Sequence, residues 1–265
     1  MLNPTEQITL AGLLMAAIML FLWLYQLRSQ DAGIVDLGWS VGLGILGLLY
    51  AFTGSGDVTR RLLLGLMSSF WSARLAFYLY LRNRNRPEDG RYKIIRQTWG
   101  SRVQPFFFIF FQAQALLDVL LSLPFLVVSH YSQPPLGWGS GVALLIWLVA
   151  IAGESVADRQ LDRFRSIPSN QGKTCRRGLW RYSRHPNYFF EWLHWWSYVF
   201  LAWGAPYGWV ALTGPVLMFF FLIKVTGIPA TEEHALRTRG DEYRCYQKTT
   251  SAFIPWFPKT EGKDL

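Results

Sequence analysis

The fold of this chain is indicated most clearly by the stretch Arg177-Gly-Leu-Trp-Arg-Tyr-Ser-Arg-His-Pro-Asn-Tyr-Phe-Phe-Glu191. It places three arginines, a histidine, an asparagine and a carboxylate directly before an aromatic, apolar run at residues 192–199. Such a run can enter a bilayer, where polar groups at its edge are costly unless they hold something charged. The stretch therefore predicts a membrane helix with a polar binding site at its start.

The composition of the whole chain is that of a membrane protein. Hydrophobic residues make up 51% of it and charged residues 16%, whereas about 25% are charged in soluble domains. The net charge is +9, and the basic residues that carry it lie between apolar runs. This position favours anionic lipid and an anionic cofactor as partners over nucleic acid. Cys175 and Cys245 show no CxxC spacing, so neither a metal site nor a disulfide framework is predicted.

Seven apolar stretches of about 20 residues predict an all-α integral membrane protein with about seven transmembrane helices in one bundle. The stretches are roughly residues 8–26, 37–53, 62–81, 105–128, 136–157, 188–203 and 207–225. No basic region precedes the first span and no cleavage site follows it, so this helix is expected to be retained. Gly204-Ala205-Pro206 predicts a tight hairpin between the last two spans.

The distribution of arginine and lysine predicts the orientation of the bundle. Seven of them lie in residues 82–104, eight in 159–187 and six in 226–265, whereas residues 129–135 have none. With seven spans, the three basic segments fall on one face. This places the N-terminus outside and the C-terminus in the cytoplasm, in a multi-pass protein of a bacterial inner membrane. Arg60 and Arg61 lie on the opposite side as an exception.

Several predicted spans contain ionisable residues. Asp36 begins the second span, Arg74 lies within the third, Glu154 and Asp158 end the fifth, and Glu191 lies in the sixth. Such residues usually face the interior of a bundle and mark functional sites. Charge pairs that only fix helix packing would explain any one of them, and a polar cavity would explain the whole set.

One motif resembles a known family. Arg184-His185-Pro186-Asn187-Tyr188, with Gly178 before it and Glu191 after it, resembles the signature of the C-terminal domain of steroid 5-alpha-reductases and related sterol reductases. Residues 242–258 resemble the end of DUF1295, the bacterial membrane branch of that superfamily. The resemblance implies one membrane domain, 1–265, with N-terminal spans at about 1–130 and a steroid-reductase-like part at about 136–258.

The resemblance also implies NADPH as the cofactor and assigns residues to it. Asp158 and Arg165 match the family's acidic residue and downstream arginine, Asn187 matches its nicotinamide-side asparagine, and Glu191 matches the partner carboxylate of that asparagine. Arg74 matches an arginine of the third span. The remaining residues assigned to the cofactor are Arg184, His185, Tyr188 and Tyr243.

Other cofactor sites are not predicted by the sequence. No GxGxxG motif follows a predicted strand, so a dinucleotide would bind within the helical bundle rather than in a Rossmann domain. His185, His194 and Glu191 lack the HExxH spacing of a zinc enzyme, and no metal is predicted.

The substrate half of the site departs from the family. Residues 37–53 lack the glutamine–glutamate pair that the mammalian enzymes use, and Trp71 occupies the position of their third-span tyrosine. Reduction of an activated alkene needs an acid that polarises the carbonyl group and supplies a proton. Asp36, if protonated by burial, or Tyr78 would serve; with Glu191 they are the predicted catalytic residues.

Three functions are compatible with these features. The first is an NADPH-dependent reductase of a carbon–carbon double bond in a lipophilic, steroid-like or isoprenoid substrate held at the membrane. The second is an S-adenosylmethionine-dependent methyltransferase of the isoprenylcysteine carboxyl type, which shares the Arg-His-Pro-x-Tyr core and a later glutamate pair, here Glu232-Glu233-His234. The third is a non-catalytic lipid-binding membrane protein. Asn187 favours the reductase, because methyltransferases vary at that position.

Overall fold

The structure is a computed structural model that describes residues 1–84, 87–133, 137–225 and 227–259. Within these ranges the secondary structure consists of helices joined by turns, and no strand occurs. The prediction of an all-α membrane fold is therefore confirmed.

The chain divides into two compact units. Unit 1 consists of Met1–Ser140 and Leu201–Gly214, and unit 2 of Gly141–Phe200 and Pro215–Leu265. The single membrane domain expected from the sequence stays a prediction.

Unit 1 contains six α-helices within its described residues. They are α1 Pro4–Ser29, α2 Ile34–Thr53, α3 Val58–Asn83, α4 Gly90–Trp99, α5 Val103–Leu121 and α6 Leu123–His130. The break between α5 and α6 falls where a single span was predicted at residues 105–128. Pro124 explains the break, since it lacks the N–H group that would continue the helix.

The first helix begins before the apolar stretch that predicted it. Asn3 Oδ1 accepts a hydrogen bond from Glu6 N over 2.9 Å, and Glu6 Oε2 accepts one from Asn3 N over 2.8 Å. This reciprocal pair is a capping box, which satisfies N–H groups at the start of the helix. Hydropathy alone misses this turn, because its residues are polar.

Small residues let α2 and α3 approach closely. A Cβ atom added to Gly44 would lie 2.3 Å from Ser72 Oγ, and one added to Gly47 would lie 2.0 Å from Ser68 Oγ. Close backbone approach through small residues is the usual way in which membrane helices associate.

Arg60 and Arg61, the exceptions to the charge distribution, bind main-chain carbonyl groups within unit 1. Arg60 donates to the carbonyl oxygens of Leu201 and, over 3.1 Å, of Gln133. Arg61 donates to the carbonyl oxygens of Gly56 and Ala51 over 3.1 and 3.0 Å. These cations are therefore engaged by the protein rather than available to lipid headgroups.

Unit 2 contains the remaining helices of the described chain. They are α7 Trp138–Arg165, α8 Pro186–Leu201, α9 Thr213–Phe220, α10 Ile228–Arg239 and α11 Asp241–Thr249. Residues 138–140 of α7, 201 of α8 and 213–214 of α9 belong to unit 1. A π-helical turn, Phe221–Val225, follows α9. The apolar sequence ends at this turn. The twelve residues of α10 include Glu232, Glu233, His234, Arg237 and Arg239, so α10 is a polar helix that follows the last predicted span at residues 207–225.

Six helical segments in the described chain are long and apolar enough to cross a membrane. Seven were predicted, and the difference is α8, which has 16 residues where a span needs about 20. Trp192 of α8 donates to Pro215 O over 3.0 Å and its ring lies 5.9 Å from that of Phe219, so α8 and α9 pack together as the predicted hairpin requires. The chain is thus a multi-pass membrane protein; the number of spans and their orientation stay predictions.

Candidate functional site

Glu232 of α10 accepts hydrogen bonds from four side chains in unit 2. The donors are Arg184 Nε at 2.6 Å, His185 Nε2 at 3.2 Å, Gln247 Nε2 at 2.7 Å and Tyr243 OH at 3.4 Å. These five residues are referred to as the Glu232 cluster. It joins the loop before α8 to both α10 and α11.

The charges within the Glu232 cluster are fixed by these contacts. Burial raises the pKa of Glu232, but hydrogen bonds from His185, Arg184 and Gln247 and the charge of Arg184 lower it to about 2. Burial lowers the pKa of His185, although Glu232 acts in the opposite direction. At neutral pH the cluster therefore holds an ionised carboxylate, a guanidinium and a neutral imidazole.

Arg184 also fixes the end of α11. Its Nη1 atom donates to Gln247 O over 2.9 Å and to Thr250 O over 2.7 Å, and its main-chain N–H donates to Ser251 O over 2.8 Å. Carbonyl groups at the end of a helix lack partners within the helix, and an arginine satisfies them well. Arg184 therefore positions the C-terminal helix, with 11% of its side chain exposed.

The first turn of α8 presents an aromatic surface. The rings of His185 and Tyr188 stack with centroids 5.3 Å apart and planes 6° apart. The hydroxyl of Tyr188 lies 3.2 Å from Thr231 Oγ1 of α10. The start of α8 is thus attached to α10 by two side chains besides Arg184.

A second group of polar residues lies where α7 and α8 pack against each other. Asn187 Nδ2 donates to Asp158 Oδ1 over 3.4 Å. One Cβ atom added to Gly153 would lie 2.4 Å from the Phe190 ring, so this glycine permits the close packing. Because the end of α7 meets the start of α8, the two helices run in opposite directions here.

Two buried carboxyl groups lie next to this contact between α7 and α8. Glu191 lies one turn after Asn187 on the same face of α8, and Glu154 lies one turn before Asp158 on α7. Glu154 and Glu191 are therefore level with each other, and their exposed fractions are 4% and 7%. Glu191 Oε1 accepts a hydrogen bond from Trp195 Nε1 over 3.1 Å.

Gly178 shapes the loop that precedes α8. Its φ of +58° is a left-handed conformation, and a Cβ atom there would lie 2.4 Å from the Gln160 side chain. Gln160 Oε1 accepts a hydrogen bond from Leu179 N over 2.9 Å. Glycine is needed both for the backbone conformation and for space.

A family model and one curated relative match this chain. The model of DUF1295, described as a protein of unknown function, matches residues 22–250. This chain belongs to the DUF1295 family. It is also 27% identical to an uncharacterized protein of Schizosaccharomyces pombe over 287 residues, which cover 95% of this chain and 80% of that protein. No solved structure matches the chain.

Eight of the residues predicted for the site of this DUF1295 protein lie in unit 2, where they occupy different positions and have different partners. Arg184, His185 and Tyr243 belong to the Glu232 cluster. Asp158 and Asn187 bind each other, whereas Arg165 is exposed at the end of α7. Tyr188 stacks on His185, and Glu191 binds Trp195. Their roles in binding or catalysis stay predictions.

The other predicted residues lie in unit 1. Asp36 accepts hydrogen bonds from Arg91 Nη2 and Tyr92 OH, both over 2.8 Å, and 26% of its side chain is exposed. The role of Asp36 as proton donor stays a prediction. Arg74 and Tyr78 are partly buried and share a face of α3, and the guanidinium of Arg82 lies 5.9 Å from the centre of the Tyr78 ring.

The central place of Glu232 and Gln247 in this DUF1295 chain was not predicted from the sequence. Glu232 was considered only with Glu233 as part of a methyltransferase motif, and Gln247 was not considered. The signal for Glu232 was available: an arginine and a histidine next to the start of a membrane helix need a carboxylate nearby. The sequence separation of 48 residues hid which carboxylate that is.

Proposed function

We propose that this protein is a membrane oxidoreductase that uses NADPH to reduce a carbon–carbon double bond of a lipophilic, steroid-like or isoprenoid substrate. The observation that carries the proposal is the contact of Asn187 with Asp158 between α7 and α8, with buried Glu191 one turn further along α8. The resemblance to steroid 5-alpha-reductases matches these same three positions.

The chemistry of this group fits the nicotinamide end of the cofactor. A nicotinamide carboxamide has one acceptor oxygen and two N–H donors. An asparagine beside a carboxylate provides the complement, because Asn187 has an amide N–H to donate and the oxygens of Asp158 accept. An amide of the ligand can therefore bind both residues.

The end of α7 fits the phosphate groups. Arg159, Arg163 and Arg165 follow Asp158 and are exposed. Guanidinium groups bind phosphate oxygens through paired, charge-assisted hydrogen bonds. A cofactor with its nicotinamide at Asn187 would therefore have cationic side chains in the same unit.

The reaction divides the work between cofactor and protein. When bound, NADPH supplies a hydride to one carbon of the double bond. The protein must orient the substrate, exclude water and deliver a proton to the other carbon, which leaves NADP⁺ and a saturated bond. Glu191 is the acid proposed within unit 2, one turn from Asn187, and the roles of Asp36 and Tyr78 stay predictions.

The pair Glu232 and Glu233 supports a methyltransferase less than Asn187 and Asp158 support a reductase. Glu232 is held within the Glu232 cluster. Glu233 is 65% exposed and binds Arg237 over 2.5 Å. The two carboxylates therefore have separate partners.

The proposal includes a bacterial inner membrane as the location.

The proposal is tested by titration of the detergent-solubilised protein with NADPH, NADH and S-adenosylmethionine in a calorimeter. We expect saturable binding of NADPH and none of S-adenosylmethionine. Nucleotides that copurify with the protein should be identified by mass spectrometry in parallel. Binding of S-adenosylmethionine without binding of either dinucleotide would overturn the proposal in favour of a methyltransferase.

A further inference from the structure

The segment that follows α11, from Ser251 to Lys259, has no regular secondary structure and is held in place by hydrogen bonds. The carbonyl oxygens of Ser251 and Phe253 accept from Arg184 N and Ser183 Oγ, each over 2.8 Å. Main-chain N–H groups of Trp256 and Lys259 donate to the carbonyl oxygens of Tyr182 and Thr249, also over 2.8 Å. The backbone of this C-terminal segment is thus fixed at several points.

Large apolar side chains of the C-terminal segment point outward. Ile254, Trp256 and Phe257 are 57%, 68% and 76% exposed. The ring centres of Trp256 and Phe257 are 6.5 Å apart in an edge-to-face arrangement. In a membrane protein, tryptophan and other aromatic residues held outward are characteristic of the boundary between lipid and water.

A cavity lies beside these rings. It has a volume of about 290 Å³, and its lining includes Lys248, Lys259, Thr249, Ser251, Trp256 and Phe257. Both lysines are exposed, and the described lining contains no carboxylate. The volume is near the lower end of small-molecule sites, about 300–1,000 Å³. The cavity therefore suits a single phosphate headgroup better than a whole dinucleotide.

We propose that this cavity binds the phosphate of an anionic phospholipid. The ammonium groups of Lys248 and Lys259 and the hydroxyl groups of Thr249 and Ser251 would bind the phosphate oxygens. Trp256 and Phe257 would contact the glycerol and the upper part of the acyl chains. Cationic groups beside an apolar surface match a lipid, whereas a free phosphate would use only the cationic half.

The site is tested by native mass spectrometry of the full-length protein in detergent, with phosphatidylglycerol, phosphatidylcholine and inorganic phosphate as separate additives. We expect the protein to retain phosphatidylglycerol in preference to phosphatidylcholine. The double variant Lys248→Gln/Lys259→Gln should bind phosphatidylglycerol about 30-fold more weakly, since each lysine near an anionic lipid surface contributes about a kilocalorie per mole. Lys93→Gln/Lys173→Gln removes the same charge at exposed positions elsewhere and should bind like the parent protein.

A third variant tests the apolar half. Trp256→Ser/Phe257→Ser keeps both lysines, so it should lose retained lipid while its thermal unfolding in detergent stays that of the parent protein. Equal phosphatidylglycerol binding by the parent protein and the double lysine variant would overturn the proposal. Complete displacement of the lipid by millimolar inorganic phosphate or by NADPH would also overturn it, because the site would then belong to a free phosphate or to the nucleotide.

Discussion

Asn187 Nδ2 donates to Asp158 Oδ1 over 3.4 Å, and this contact joins the first turn of α8 to the last turns of α7. The distance is long for a hydrogen bond. A long contact between an amide and a carboxylate can open to admit a ligand that binds both groups more tightly.

Asn187→Ala should weaken NADPH binding about tenfold to a hundredfold, because the loss of one or two hydrogen bonds to the cofactor costs about 1–3 kcal/mol. Calorimetric titration of the purified variant measures the change. Gln97→Ala removes an exposed amide from α4 and serves as the control, with an affinity equal to that of the parent protein. An unchanged affinity of Asn187→Ala would remove the asparagine from the cofactor site.

Arg165→Ala should weaken NADPH binding more than NADH binding if this arginine meets the 2'-phosphate, since a charge-assisted pair of hydrogen bonds is then lost. Titration with both dinucleotides gives the ratio of the two effects. Arg237→Ala removes an exposed arginine from α10, outside this group of arginines, and is the matched control. Equal losses for NADPH and NADH would place Arg165 away from the 2'-phosphate.

Glu232→Gln should lower the thermal stability markedly. Removal of one member of a largely buried ion pair leaves Arg184 uncompensated, which typically costs about 3–5 kcal/mol. Glu233→Gln is the adjacent control; its side chain is 65% exposed, and the change should cost about 0.5 kcal/mol or less. Thermal unfolding in detergent compares the two, and equal melting temperatures would show that the Glu232 cluster does not stabilise the fold.

The effect of Glu232→Gln should also depend on pH. The pKa of Glu232 is lowered from 4.5 to about 2 in the folded protein, so its ionised form stabilises the fold at pH values above 4.5. That stabilisation is lost as the pH falls from 4.5 towards 2. The difference in melting temperature between the parent protein and Glu232→Gln should therefore be constant near neutral pH and narrow below pH 4.5. A difference that stays constant down to pH 3 would contradict the lowered pKa.

Gly153→Ala should destabilise the protein and weaken NADPH binding together. The added Cβ atom would lie 2.4 Å from the Phe190 ring, and relief of this clash would move α7 away from α8. Overpacking of this kind typically costs about 1–3 kcal/mol. Gly141→Ala, in the same helix, meets nothing within 4 Å and should be neutral or stabilising. Both variants are compared by thermal unfolding and by titration with NADPH. Equal melting temperatures and equal affinities would show that the close packing of α7 against α8 is dispensable.

The orientation of the bundle predicts opposite results for two reporter fusions. A reporter after residue 265 should be cytoplasmic, and one within residues 129–135 should be external, because the distribution of arginine and lysine predicts a cytoplasmic location for the basic segments. Paired phosphatase and fluorescent-protein reporters at each position provide the measurement. Reporters on the same side of the membrane would overturn the seven-span orientation.

The sequence predicted the helical segments well because length and hydropathy are local properties. It placed the start of α1 too late, since the capping box of Asn3 and Glu6 is polar. It joined α5 and α6 into one span, although Pro124 marks the break. In the candidate site, the motif around Asn187 pointed to the start of α8. The partners of Arg184 were hidden, because a charged contact between residues 48 positions apart leaves no periodic pattern.

The contacts of Arg184 have a consequence for the synthesis of the chain. Its partners at residues 232, 247, 250 and 251 leave the ribosome after all the predicted spans. During translation, Arg184 and His185 therefore lack their carboxylate partner Glu232 while the apolar segments insert into the membrane. A chain that stopped before α10 would contain the predicted spans but lack the partners that order this loop. The contacts of Arg184 can therefore form only after the final helices have been synthesised.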